Sequence, residues 1–421
     1  MGNGKRLLGS ALVYTLSNAI SAGVPILLLP ILTRRLLPEE YGVVAMFGVV
    51  LAVMGALTGL SVHGAVGVRF FETDRIDLPR YVVSCLLVLL LSTAAVFVLA
   101  WALLPLIESL TQVPGRWVLV AVAVSGAQFV LQLQLSLWQS ARRPWPFAAL
   151  RSGQAAIDAG GSLVFVLALG LAWEGRLGGI ALAAGACLLV ALVTLYRGGW
   201  VKGPARRDYV VDALRFGVPL IPHTIGSMLV LMADRLLISH VLDVGSTGIY
   251  MVGMQLGMVL GLLTDAFNRA FAPWLMGSLK NHDPARDRRI VRMTYLYFAT
   301  VTTVALLFGW AAPVLLSWLV GPQYQSASQV LGYIALGFAF GGMYYMVTNY
   351  VFFASRTAGL AAITFASGVF NVGITYLLLK QNGVVGAAQG FMLSQAATFL
   401  ATWWLAQRSH PMPWRRCLEP A

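Results

Sequence analysis

The chain has 421 residues, 58% of them hydrophobic and only 11% charged, with a formal net charge of +13. Soluble domains carry about 25% charged residues, which argues against an ordinary globular protein. With 43 Gly, 12 Trp and 14 Tyr, the balance is that of a helical membrane protein, where small residues let helices approach and aromatics sit at the interface.

A crossing helix needs about 20 apolar residues, and such runs recur along the whole sequence. The predicted spans are 10–33, 41–63, 79–106, 117–139, 147–172, 177–196, 213–239, 247–272, 291–319, 327–354, 357–379 and 383–406. The first apolar stretch, from about Leu7 to Leu32, is too long for a signal-peptide core and ends in no small-residue cleavage pattern. It is expected to remain as a span. "MGNGKR" lacks the Ser or Thr of a myristoylation signal, so it implies no lipid anchor.

The polar turn "TRRLLPEEYG" separates the first two spans. Arg34 and Arg35 end one helix; Glu39 and Glu40 open the next, where a helix N-terminus favours negative charge. Local ion pairing is expected there, with a role in an external gate as the alternative. Basic residues orient the chain. With a cytoplasmic N-terminus, 23 of the 29 basic residues fall on the cytoplasmic side. Arg34, Arg35, Arg116, Arg176, Arg235 and Lys380 fall outside. Both termini are then cytoplasmic, and the basic loops read as topogenic signals facing anionic lipid rather than as a nucleic-acid site.

The longest polar break near the middle, residues 196–212, leaves six spans on either side. The expected domains are an N-terminal six-helix lobe (1–196), a cytoplasmic linker (197–212), a C-terminal lobe (213–406) and a cytoplasmic tail (407–421). Each half opens with a helix, a short turn and a second helix starting at a Tyr/Gly pair: "LLPEEYG" against "VLDVGSTGIY". Six spans per half give a parallel pseudo-two-fold repeat, the architecture of an alternating-access carrier.

Ionisable groups inside spans are costly and point to function by default. Asp265 and Arg269 share a helix face at i,i+4 spacing, either as an intrahelical pair or as a ligand contact. Arg151 and Asp158, seven apart, also share a face and read as a buried packing pair or a polar site. Asp234 and Arg235 lie near the outer end of the seventh span, as a structural clamp or a ligand contact. His63 and His223 are packing residues or protonatable groups. Gln128, Gln132, Gln134 and Gln139 in the fourth span face a wet interior or bond neighbouring helices.

Enzymatic constellations are missing from the sequence. Cys85, Cys187 and Cys417 are far apart without metal-ligand spacing, so neither a zinc site nor a disulfide framework is expected. The five histidines show no metal spacing, and there is no GxxxxGK[ST] phosphate loop for ATP hydrolysis. No metal or cofactor is expected; Na⁺ or H⁺ remain candidate coupling ions.

Several motifs resemble, in order, those of the bacterial polysaccharide flippases, the polysaccharide-transport branch of the MATE-like MOP exporter superfamily. They are "ILTRRLLPEEYGVVAMF", "GVRFFETD" with Arg69, "FGVPLIPHTIGSMLVLMADRLLISHVLDVGSTGIYMVGMQLG", "AFAPWL", "GPQYQSASQVLGYIALG" and "NVGITYLLLKQNGVVGAAQGFMLSQ". The resemblance implies an all-α polytopic protein of two six-helix lobes in the bacterial inner membrane. It implies a carrier, not an enzyme, that flips a polyprenyl-pyrophosphate-linked oligosaccharide to the outer leaflet through a central cationic cavity. Arg269, Asp265, Arg151, Asp158, His63, His223 and Arg69 are then candidates for headgroup binding; Asp234, Arg235, Arg34, Arg35, Glu39 and Glu40 are candidates for gating or structure. The partners would be the lipid-linked oligosaccharide, membrane lipids and other polysaccharide-assembly membrane proteins. The competing readings are a MATE-type cation/drug antiporter, disfavoured because the first span has no carboxylate, and a lipid II-type flippase.

Overall fold

The computed structural model describes residues 2–72, 74–279, 284–354 and 356–414. Within these it describes all side chains except those of residues 2–11, 222, 223, 225–231, 357 and 358. Among the described residues every regular element is helical. Two compact units emerge, Met1–Met232 and Ala233–Ala421.

The first unit contains α1 (Gly2–Arg35), α2 (Pro38–Leu57), α3 (His63–Arg69), α4 (Leu78–Ala102) and α5 (Leu104–Thr111). It continues with α6 (Gly115–Ser140), α7 (Pro144–Leu163), α8 (Ala172–Arg197) and α9 (Arg207–Gly217). Proline in the first turn, where no N–H partner is needed, starts α2, α4, α5 and α7. The second predicted span is not one helix. It breaks between α2 and α3, where Gly59, Leu60 and Ser61 take left-handed φ of 72°, 49° and 58°. A Cβ on Gly59 would lie 2.1 Å from the Phe129 ring, so only glycine fits that approach. The break leaves backbone groups without helical partners, which must be satisfied inside a membrane. The Gly59 amide donates to Ser92 Oγ at 2.8 Å, and Thr58 shares a 2.9 Å hydroxyl contact with Ser125.

α7 packs between α1 and α8, and α6 packs on α2, α4 and α8. The end of α7 loosens into a π-helical turn, Val164–Ala168, before Gly170 (φ 65°) turns the chain into α8. The approach of α7 to α8 is close: a Cβ on Gly179 would sit 2.2 Å from Ser162 Oγ. Residues 197–212, expected as a linker, are half irregular and half the first turns of α9.

α10 (Ile221–Val241) runs across the boundary between the units. The second unit continues with α11 (Val244–Leu279), α12 (Pro284–Leu319), α13 (Ser328–Phe353) and α14 (Thr357–Ser409). Gly253, Gly257 and Gly261 form a small-residue stripe on α11 that admits Val330, Ile334 and Phe338 of α13. Beside it, Tyr295, Phe298, Tyr350, Phe399, Trp403 and Trp414 pack largely edge to face around one core.

Nine helical runs among the described residues are long and apolar enough to cross a membrane. One of them, Gly359–Ser409, belongs to α14, which is broken at Gly383 (φ 58°, ψ −142°) and so holds the eleventh and twelfth expected spans. The 20-residue α7 and 21-residue α10 overlap the fifth and seventh expected spans. The expected all-α, multi-span architecture is therefore observed. Cys85 and Cys187 are buried free thiols, and Cys417 lies outside the described residues.

Candidate functional site

In the first unit, α1, α6, α7 and α8 surround a polar cavity of about 300 Å³. Its polar lining comes from Ser21, Gln128, Gln132, Arg151, Gln154 and Asp158. Periodicity brings these groups together. Arg151, Gln154 and Asp158 fall on one face of α7, and Gln128 and Gln132 are one turn apart on α6.

Arg151 and Asp158 line this cavity together, but they are not the buried pair that their spacing suggests. Asp158 is held from the neighbouring helix by Arg176. Arg176 Nη1 donates to Asp158 Oδ1, and Nη2 reaches Oδ2 at 3.3 Å. Nη1 also donates to Ser162 Oγ at 2.7 Å. Arg176, counted among the external basic residues in the sequence, is only 8% exposed and is a buried ionic partner. The reason is the tight α7–α8 approach at Gly179, which lets an arginine near the start of α8 reach across to α7.

Among the described residues no carboxylate pairs with Arg151. Its Nη1 donates to Gln154 Oε1 at 3.1 Å, its Nε is buried without a partner, and its carbonyl accepts from Ser21 Oγ at 3.2 Å. Guanidinium does not deprotonate in proteins. With Asp158 and Arg176 cancelling, the cavity therefore keeps the full positive charge of Arg151. Around it stand amide and hydroxyl groups able to donate and accept. That combination suits an anion carried on a hydroxyl-rich molecule.

The other candidates separate into different environments. Arg69 is the centre of a clamp at the end of α3: Nε and Nη2 reach Asp212 of α9 at 3.0 and 2.7 Å, and Nη1 reaches both Glu72 oxygens at 2.9 and 2.7 Å. Tyr81 donates to the same Asp212 at 2.8 Å, and the Asp77 amide donates to Tyr209 at 3.0 Å. Burial alone would raise the Asp212 carboxyl; the hydrogen bonds from Arg69 and Tyr81, with the charges of Arg69 and Arg215, hold it below its ordinary value of 3.8. Arg69 thus ties the end of α3 to α9.

Asp265 and Arg269 form the intrahelical pair their spacing suggests, at 2.8 Å on an exposed face of α11. Asp234 is 4% exposed and accepts from the Tyr250 hydroxyl and, at 2.9 Å, from the Arg235 amide. No side-chain ion pair joins Asp234 to Arg235, whose Nε is buried without a partner. His63 lies edge-on to Phe129 at 5.3 Å between ring centres, with Nδ1 unpartnered. The side chain of His223 lies outside the described ones. Arg34 and Arg35 are exposed, and Glu40 accepts from the Leu37 amide at 2.8 Å, capping α2 as its position at the helix start favours. Of the four glutamines on α6, Gln128 and Gln132 face the cavity, Gln134 is buried away from it and Gln139 is exposed.

Fold and site together define a polytopic helical membrane protein with the chain path of MOP-superfamily carriers. A solved lipid II flippase MurJ in an inward closed conformation superposes with a TM-score of 0.75 at 13% identity, over 95% of this chain and 87% of that one. An inward-facing multidrug-resistance MATE transporter of the MOP superfamily gives 0.68 at 15% identity, over 94% of both chains. A Haemophilus influenzae protein of the Lsg locus is 24% identical over 406 residues, covering 90% of this chain and 94% of its own length. Residues 7–278 match the family described as "Polysaccharide biosynthesis protein", and the chain belongs to that family. Its members and fold neighbours are membrane carriers rather than enzymes.

Proposed function

We propose that this protein carries a polyprenyl-pyrophosphate-linked oligosaccharide from the cytoplasmic to the outer leaflet of the bacterial inner membrane. It does so by alternating access, with both termini cytoplasmic. The observation that carries the reading is Arg151, a permanent cation inside a membrane-spanning unit, beside a polar cavity and without a carboxylate. Burying a charge is costly unless something compensates it, and an anionic, hydroxyl-rich headgroup supplies that compensation. Arg151 engages an anionic group of the headgroup; Gln128, Gln132 and Gln154 meet sugar hydroxyls. Family membership supports the polysaccharide cargo.

A cation antiporter fits the same cavity less well. A free carboxylate would favour cation binding, and Asp158 is taken up by Arg176. Coupling to Na⁺ or H⁺, or to the gradient of the cargo itself, remains compatible with the carrier proposed here.

Deletion of the gene followed by lipid analysis tests the function. Undecorated, lipid-linked repeat units should accumulate on the inner leaflet, and the wild-type gene should clear them where Arg151→Gln does not. Absence of accumulation in the deletion strain would remove the flippase reading.

A further inference from the structure

We infer that Arg176 is the positioning residue that keeps the cavity of the first unit selective for anions. The inference rests on the proposal that this cavity receives an anionic group of the cargo. Arg176 is not among the residues that line the cavity. It acts through Asp158, which does.

The cavity contains one fixed cation, Arg151, and one carboxylate, Asp158, on the same face of α7. Seven residues of helix separate them by roughly 10 Å along the axis, close enough for the long arginine side chain to turn toward the carboxylate. Left to themselves, the two would neutralise the cavity. Arg176 prevents this by holding both Asp158 oxygens from α8, with Ser162 fixing the guanidinium on its other side. The triad of Arg176, Asp158 and Ser162 therefore withdraws the negative charge, and Arg151 remains available to an incoming anion.

The shared ligand chemistry is an anionic oxygen group on a sugar-bearing molecule, from either the diphosphate or a sugar carboxylate. A volume of about 300 Å³ lies at the small end of ligand sites, which run from roughly 300 to 1,000 Å³. It fits one such group or one sugar ring, not a whole repeat unit.

The test uses the purified full-length protein in lipid nanodiscs, titrated calorimetrically with inorganic pyrophosphate in one arm and glucuronate in the other. Wild type should bind at least one, and the stronger arm identifies the source of the anion. Arg176→Gln should weaken that binding about tenfold or more, because Asp158 is released to compete for Arg151. Asp158→Asn should bind at least as tightly as wild type. The double variant Arg176→Gln/Asp158→Asn should recover most of the wild-type affinity, and Arg176→Lys part of it.

A purely structural role for Arg176 predicts no such rescue. An unrecovered double variant, weaker binding by Asp158→Asn, or no binding of either anion by wild type would each overturn the inference. Should Arg176→Gln fail to fold, the double and Arg176→Lys variants still decide. Lipid accumulation in the deletion strain is read separately, so the carrier reading can fail while the binding pattern stands.

Discussion

The two units handle their membrane-embedded charges in opposite ways. In the first, Arg176 of α8 crosses to Asp158 of α7, and Arg151 faces a cavity whose one lining carboxylate is held by Arg176. In the second, Asp265 and Arg269 pair along a single helix on an exposed face, and Asp234 is buried against a tyrosine hydroxyl. Its core is a cluster of aromatic rings and a glycine stripe. Charges that link separate helices create a site between them; charges that pair within one helix leave packing undisturbed. The cavity lies in the first unit, whereas in the second Asp265 and Arg269 pair locally on an exposed face.

Several substitutions would break or sharpen this contrast. The largest effect is expected at Arg151: Arg151→Gln should abolish clearance of lipid-linked repeat units in complementation, whereas Arg269→Gln should leave most of it. Comparable losses at both positions would erase the distinction between the units.

Next in size is stability. Removing one partner of a buried pair costs about 3–5 kcal/mol because the other charge is stranded. Arg176→Gln should therefore lower the thermal midpoint in detergent sharply, and adding Asp158→Asn should return most of it. Asp265→Asn should change stability by less than about 1 kcal/mol, as exposed pairs do. Differential scanning fluorimetry on the three variants reads both.

Gly179→Ala should fall between these, since a Cβ at that position meets Ser162 at 2.2 Å and would push α8 away from α7. It should weaken anion binding along with stability. Gly277→Ala, at a site with open space, should change neither.

The smallest effect concerns the Asp212 clamp and acid. The folded carboxyl sits below its ordinary value of 3.8, so the unfolded state binds the proton more readily. The stabilisation is fully present above the ordinary value and is lost as pH falls through the depressed one. Protection factors of the α9 amides, corrected for the intrinsic pH dependence of exchange, should therefore be unchanged down to about pH 5, where unperturbed Asp near 3.9 is still mostly ionised. They should fall only in stronger acid. Asp212→Asn should show reduced protection at every pH.

Much of the fold was legible in the sequence because membrane helices announce themselves by length and hydropathy alone. The i,i+4 pair of Asp265 and Arg269 was legible for the same reason, since helical spacing fixes it locally. What escaped was anything decided between helices. Arg151 and Asp158 share a face by periodicity, but periodicity says nothing about Arg176 arriving from α8 to claim the carboxylate. Arg176 counted only as an external cation because it sits in the short break "WEGR" between two apolar runs; a hint was Gly179 one turn on, marking a close helix approach. Arg69 likewise drew attention through a family motif, yet its partner Asp212 lies in the segment expected to be mere linker.

The break at Gly59–Ser61 has a consequence for how this chain can vary. In a continuous helix every residue is locked to one rotational phase, so an insertion of a single residue turns everything beyond it by about 100°. Between α2 and α3 that lock is absent, because three successive left-handed residues reset the direction of the chain. The apolar face of α2 and the Arg69 grip on α9 are consequently independent in phase. The direction of α3 is set at the break, where Thr58 and Gly59 are pinned to Ser125 and Ser92, and not by the helical phase of α2.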